Sequence, residues 1–279
     1  MNGYGVRQYS SGSTYEGNWE GDKRSGKGTM KFQSGDVYEG DWIDDNFNGH
    51  GKYTWASGGY YEGEWIDGNM NKYGVRHYSN GSIYEGCWKD DKCNGHGVMH
   101  YAGGNIYIGA WQDDNRNGLG TMIFDNGDIY TGEWKDDFRT GSGHYSWPGG
   151  SEYEGSWLNS KRNGHGVMNY SNGKIYDGNW KDDELSGFGT MTFANGDIYE
   201  GEFKEGSFSG HARYTWTDGS YYDGNWAKGD MNGLGKRHYS NGDFFEGYWK
   251  DDKRNGHGVL KCADGSVKKG EWKDDTFVG

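Results

Sequence analysis

A segment opening on Tyr-Glu-Gly returns every 23 residues, and no other property of the chain narrows its fold as far. The copies begin at Tyr15, Tyr38, Tyr61, Tyr84, Tyr107, Tyr130, Tyr153, Tyr176, Tyr199, Tyr222, Phe245 and, in degenerate form, Lys268, with no insertion or deletion between them. Numbered from that Tyr, position 3 is Gly in all twelve copies, and position 5 is Trp in eleven, with Phe203 the exception. Position 12 is Gly except at Lys72, position 14 except at Ala212, and position 21 always. These four columns hold 47 of the 54 glycines, so glycine is placed by the repeat and does not mark low complexity.

A helix could not carry four glycines per 23 residues at about 1 kcal/mol each. Each unit reads instead as two short alternating segments, positions 1–6 and 13–18, around an Asp-Asp-x-x-Asn-Gly turn. A second turn, typically Ser-Asn-Gly-Asp, leads into the next unit. Closing the hairpin with position 6 against 13 sets Trp at 5 opposite Gly at 14, Gly at 3 opposite the bulky residue at 16, and Tyr at 1 opposite the aromatic at 18. One face is then aromatic, and the other carries Glu, Asn, Lys, His and Thr. The expected fold is all-β: an elongated single-layer antiparallel meander, a solenoid-like rod of twelve 23-residue β-hairpin repeats, twisted or curved into a groove. Two strands per unit carry it to roughly 110 Å. Residues 1–279 form one continuous array, with a half repeat at 1–14, eleven full repeats over 15–267, and a capping half repeat at 268–279 whose Lys268 and Lys269 guard the open edge.

Composition alone places the chain near the disordered class, with 54 glycines and a net charge of −13. Its 14 Trp, 23 Tyr and 11 Phe against a single Pro argue for order, with the apolar area in flat rings. The acidic balance disfavours nucleic acid as a partner, and no run of 18 apolar residues offers a membrane span. The first residues lack a signal-peptide pattern. Cys87, Cys93 and Cys262 have no metal-ligand spacing, which fits a reducing, cytoplasmic setting.

The recurring Tyr-Glu-Gly-x-Trp-x-Asp-Asp-x-x-x-Gly-x-Gly resembles the MORN repeat (membrane occupation and recognition nexus) over essentially the whole chain. That resemblance implies a curved or twisted hairpin sheet. It also implies a scaffold or adaptor role at cytoskeletal, ciliary or membrane-contact structures, with end-to-end dimers in some members. The kinase, methyltransferase or exchange-factor domains that accompany the repeats in larger relatives have no counterpart in this sequence.

Candidate chemistry gives way to simpler readings. Asp44-Asp45-Asn46-Phe47-Asn48-Gly49 begins like a calcium loop, but Trp55 stands where a bidentate Glu is required, so the segment reads as a turn. His50, His96, His165, His211 and His257 share position 13, and the closest lie two units apart, roughly 20 Å, too far for one metal. Gly118-x-Gly120 lacks the third glycine and following helix of a phosphate loop. No nucleophile, base and acid stand out as a set. The expectation is no enzyme, no cofactor and no metal.

The informative departures lie on the aromatic face. Tyr53/Trp55, Tyr145/Trp147 and Tyr214/Trp216 occupy positions 16 and 18, whereas Arg7, Arg76 and Arg237 replace the residue at 16 in other units. Twice an Arg unit follows a Trp unit, at 53–78 and 214–239, which points to a duplicated segment. Arg beside Trp and Tyr is the composition of an interface hot spot, and equally of a cation stacked as filler over glycine. The candidate partner-binding residues are Tyr53, Trp55, Tyr61, Trp65, Arg76 and Tyr78 in the first copy, and Tyr214, Trp216, Tyr222, Trp226, Arg237 and Tyr239 in the second. A weaker edge contact is read at position 10, where Phe47, Met70, Leu185, Phe208, Met231 and Phe277 would sit exposed in the turn.

The leading reading is a non-catalytic protein–protein adaptor in a cytoskeletal, ciliary or axonemal assembly, holding a partner segment along an aromatic groove, since a single layer leaves that face to be covered. A phospholipid-binding module is the alternative, through a local basic strip of Lys89, Lys135, Arg139, Arg162, Lys250 and Arg254, although the overall charge disfavours membrane lipid. A homodimer joined through the C-terminal repeat is the third.

Overall fold

The computed structural model describes residues 1–279. It contains 25 strands, from β1 (Gly3–Gln8) to β25 (Thr276–Phe277), and no helix. Two compact units divide the chain, Met1–Phe138 and Arg139–Gly279. Within each, successive strands pair antiparallel as an open meander of hairpins. The all-β, single-layer hairpin reading describes both.

The hairpins close more tightly than the sequence pattern suggests. In the first unit β2 (Thr14–Glu20) meets β3 (Lys23–Lys31) through Glu20↔Lys23, Trp19↔Arg24, Gly17↔Gly28 and Tyr15↔Met30. The second unit repeats this register as Trp157↔Arg162, Gly155↔Gly166 and Tyr153↔Met168. Position 6 therefore pairs with 9 and not 13, so Trp faces position 10, Gly faces Gly, and Tyr faces position 16. The cause is the Asp-Asp pair itself. Asp44 and Asp45 both take left-handed backbone, φ 49° and 71°, which makes a two-residue hairpin turn whose twist matches the strands. The surplus residues are absorbed as a bulge between Gly17 and Trp19, where position 12 turns left-handed, φ +69° at Gly26. Lys72 holds that conformation at φ 54°, at the usual cost for a residue with a Cβ.

Glycine at positions 3 and 14 answers a different need. The Tyr ring of each repeat lies across both, so a Cβ on Gly51 would come within 2.3 Å of Tyr38 Oη, and one on Gly40 within 2.5 Å of Gly51 Cα. Ten such Tyr rings and Phe245 are 0% exposed. Each removes on the order of 150–250 Å² from water. The phenol donates to the carbonyl three residues on, Tyr38 to Asp41 at 2.9 Å and Tyr153 to Ser156 at 3.0 Å. Trp rings stand edge-on at either side, Trp42 and Trp65 at 5.2 and 5.5 Å from Tyr38. In ten repeats the indole N–H at position 5 reaches back to the preceding repeat, as Trp42 Nε1 does to the Gly28 carbonyl at 3.1 Å. A single layer thus buries its own Tyr and Trp, which corrects the expectation that a partner or a closed groove must cover them.

Candidate functional site

Both rows of turns carry latches between repeats. At the tight turn, Asp45 Oδ1 accepts the Arg24 backbone N–H, and Asp183 Oδ1 that of Arg162, each at 3.0 Å. The carboxylates that invited a calcium reading are engaged here. Where position 10 is Arg, its Nε donates to the same oxygen at 2.8–3.0 Å, and Nη2 to the aspartate's main-chain oxygen at 2.9–3.1 Å. The guanidinium lies 4.1–4.4 Å over the next repeat's Trp in Arg24, Arg116, Arg162 and Arg254. Arg139 makes the same contact 4.5 Å over Trp157, donating to the Ser160 carbonyl. Three members of the supposed basic strip are therefore stacked on rings. Lys23, Lys92 and Lys161, one residue earlier, pair with Asp44, Asp113 and Asp182 at 3.0, 3.6 and 3.8 Å.

At the other turn, Asp36 Oδ1 accepts the Ala56 N–H at 2.7 Å, and Asp197 Oδ1 that of Thr217 at 3.0 Å. The Tyr53 and Tyr214 hydroxyls donate to the second oxygens of these carboxylates at 3.0 and 2.9 Å. The Ala56 N–H, with the Ser34 and Tyr53 hydroxyls and against a smaller effect of burial, holds the Asp36 carboxyl below the usual carboxylate range.

The twelve candidate residues separate into two kinds. Tyr61 and Tyr222 are 0% exposed and Trp65 and Trp226 only 4% and 7%, so these four are core. Tyr53, Trp55, Arg76 and Tyr78 are half-buried at the surface of the first unit, and Tyr214, Trp216, Arg237 and Tyr239 hold the same places in the second. Arg76 lies 4.5 Å over Trp55 and 4.7 Å over Tyr78, while Arg237 lies 3.2 Å over Trp216 and 5.3 Å over Tyr239. Arg76 Nε and Arg237 Nη1 are buried N–H groups with no acceptor. The sequence reading missed that the duplication extends to the polar face. There Tyr60 stacks on His77 at 4.3 Å under Lys52, and Tyr221 on His238 at 4.2 Å under Arg213. The recurrence of Tyr and His at those positions in the same two units was the available signal.

Position 10 is a strand residue facing Trp, not an exposed turn residue. Phe47 and Phe208 stack flat on Tyr38 and Tyr199, both at 3.8 Å. Met70 is buried, and Leu185 and Met231 are half-buried opposite Trp180 and Trp226. Phe277 lies exposed, 5.3 Å from Trp272.

The family profile described as MORN repeat matches residues 1–14, 15–37, 38–60, 61–83, 84–106, 107–129, 130–152, 153–175, 176–198, 199–221, 222–244 and 245–267. No curated protein sequence matches the chain. Among solved structures, it aligns with the wild-type TCP10 domain of Danio rerio CPAP in complex with a peptide of Danio rerio STIL, at 15% identity over 81% of this chain and 96% of that one, TM-score 0.40. It also aligns with the TCP domain of Drosophila melanogaster SAS-4 (dCPAP) in complex with a proline-rich motif of Ana2 (dSTIL), at 13% identity over 64% and 85%, TM-score 0.33. Superpositions this loose carry nothing over to this chain.

Proposed function

Since the chain belongs to the MORN repeat family, we propose that it is a non-catalytic scaffold that binds a segment of another protein across its two Trp–Arg–Tyr stacks. The observation that carries this reading is the repeated stack of Arg76 on Trp55 and Tyr78 and of Arg237 on Trp216 and Tyr239. Each guanidinium keeps a buried N–H without an acceptor, which costs about 1–3 kcal/mol. Keeping that cost twice favours a role beyond filling space. A half-exposed guanidinium held flat on an indole is a rigid, partly desolvated contact of the kind that dominates protein interfaces. The setting of the proposal is the one the resemblance implies, a cytoplasmic assembly at the cytoskeleton or cilium.

Affinity capture from the native cell tests it with the full chain and two variants. Trp55→Ala, Arg76→Ala, Trp216→Ala and Arg237→Ala combined should lose the proteins that the unaltered chain retains, with the thermal midpoint nearly unchanged. Trp65→Ala, which removes a core ring, should lower the midpoint. Retention of the same proteins by the fourfold variant would exclude these stacks as the contact.

A further inference from the structure

Position 10 carries a long side chain in every repeat but one. Arg24, Arg116, Arg139, Arg162 and Arg254 fill it with a guanidinium on the next Trp. Phe47 and Phe208 fill it with a ring, and Met70, Leu185 and Met231 with aliphatic chain. At Cys93 the side chain stops at a sulfur that is only 2% exposed and engages Asp114, Tyr78 and Tyr84, and a cavity of about 370 Å³ opens beside it.

The receiving groups stand as they do in the arginine repeats. Asp114 Oδ1 accepts the Cys93 N–H at 2.8 Å and its own N–H donates to the Cys93 carbonyl at 3.1 Å, where Asp183 and Arg162 make the same pair of bonds at 3.0 and 3.1 Å. Trp111 is held by its Nε1 on the Gly97 carbonyl at 3.4 Å and lines the cavity with Asp114, Met99 and Tyr101. Asp91, on the same wall, accepts only the backbone N–H of Met70, which has no cation to offer. The one cation lining the cavity is Arg76, already stacked on Trp55 and Tyr78. Burial first, and the Asp114 carboxylate beside it, push the Cys93 thiol up to about 12, so it is neutral.

We propose that this cavity takes the arginine side chain of a partner protein, its guanidinium flat on Trp111 and forked between the Asp114 carboxylate and main-chain oxygen. The chain's own arginines occupy the equivalent place in five other repeats. A planar guanidinium matches the two acceptors and the indole face together, which a lysine ammonium does not. The proposal rests on the partner-binding reading and supplies its chemistry: an arginine entering beside the Trp55–Arg76–Tyr78 stack.

The test titrates the full chain with N-acetyl-arginine amide while the Trp111 indole N–H resonance is followed, assigned through Trp111→Phe. N-acetyl-citrulline amide serves as the neutral isostere. The expected result is a saturable shift with arginine, none with citrulline, and loss of the shift in Asp114→Asn and Cys93→Arg. Cys93→Arg builds a sixth internal copy of the latch and should raise the thermal midpoint, so its loss of binding cannot be unfolding. Equal shifts with citrulline, no saturable shift at Trp111, binding retained by Cys93→Arg, or a lowered midpoint for that variant would each overturn the assignment. The probe needs no partner, so failure here leaves the capture experiment standing, and the reverse holds as well.

Discussion

Ala212→Gly should stabilise the second unit, although glycine in a strand ordinarily weakens it. Ala212 occupies column 14 opposite Gly201, where the other repeats pair Gly with Gly. In ten repeats the Trp indole N–H reaches the column-14 carbonyl of the preceding repeat, at 3.0 Å in Trp65 and 3.4 Å in Trp272. Trp226 would reach Ala212, yet its Nε1 is buried with no acceptor. The pairing is also displaced there, Glu202 meeting Ser209, and the Tyr199 hydroxyl accepts the Ser209 N–H at 3.3 Å. Two opposed effects set the outcome. Restoring a buried donor's partner is worth about 1–3 kcal/mol, and the added backbone freedom of glycine costs about 0.5–1 kcal/mol. The balance runs from about zero to a gain of about 2.5 kcal/mol, or up to roughly a 70-fold rise in local protection. Repeat arrays need not unfold in one step. The decisive assay is therefore native-state hydrogen exchange over Ser207–Thr215 together with the Trp226 indole N–H. A drop in protection matching the glycine cost alone would show that the methyl group does not cause the orphaned indole.

Gly51→Ala places a methyl 2.3 Å from Tyr38 Oη, against a ring with no room to move; a loss of about 3 kcal/mol is expected by denaturant melt, and a neutral result would contradict the ring-over-glycine packing. Asp36→Asn should lower stability at neutral pH. Because the folded carboxyl is held down chiefly by the Ala56 N–H, its contribution is complete above the unfolded value near ~4 and fades as pH falls through the lower folded value. The gap between variant and parent should accordingly close in acid, and a gap unchanged at about pH 2 would count against the latch. Vesicles with anionic lipid should not recruit the chain at physiological salt, given a net charge of −13 and lysines paired as in Lys23–Asp44; clear flotation would favour the lipid reading instead.

The period and the separation into an aromatic and a polar face were legible in sequence because both follow from alternation and glycine spacing. The register was not. It turned on Asp44 and Asp45 both adopting left-handed backbone, a conformation that Asp tolerates but does not announce, and a slip of four residues followed beside the turn, reduced to two beyond the bulge. That slip hid the role of position 10. Read as a turn residue, Phe47 looked like an exposed contact; placed opposite Trp42 it is packing on Tyr38.

The same slip bears on how function is to be sought in such a chain. When Tyr and Trp are buried by their own sheet, the repeat consensus describes stability, and substitutions in it report on folding. On the proposals above, binding belongs to columns where the consensus is silent, 16 and 18 at the Trp–Arg pairs and 10 at Cys93. There a repeat departs from its neighbours while the groups around it stay in place. Asp114 and Trp111 keep their arginine-repeat bonds without an arginine between them, and the cavity they line opens beside the buried Cys93. A partner that matches several departures at once would be fixed in position along the array, whereas one matching the consensus alone could slide by 23 residues. Specificity in an array of equal units must come from its unequal ones.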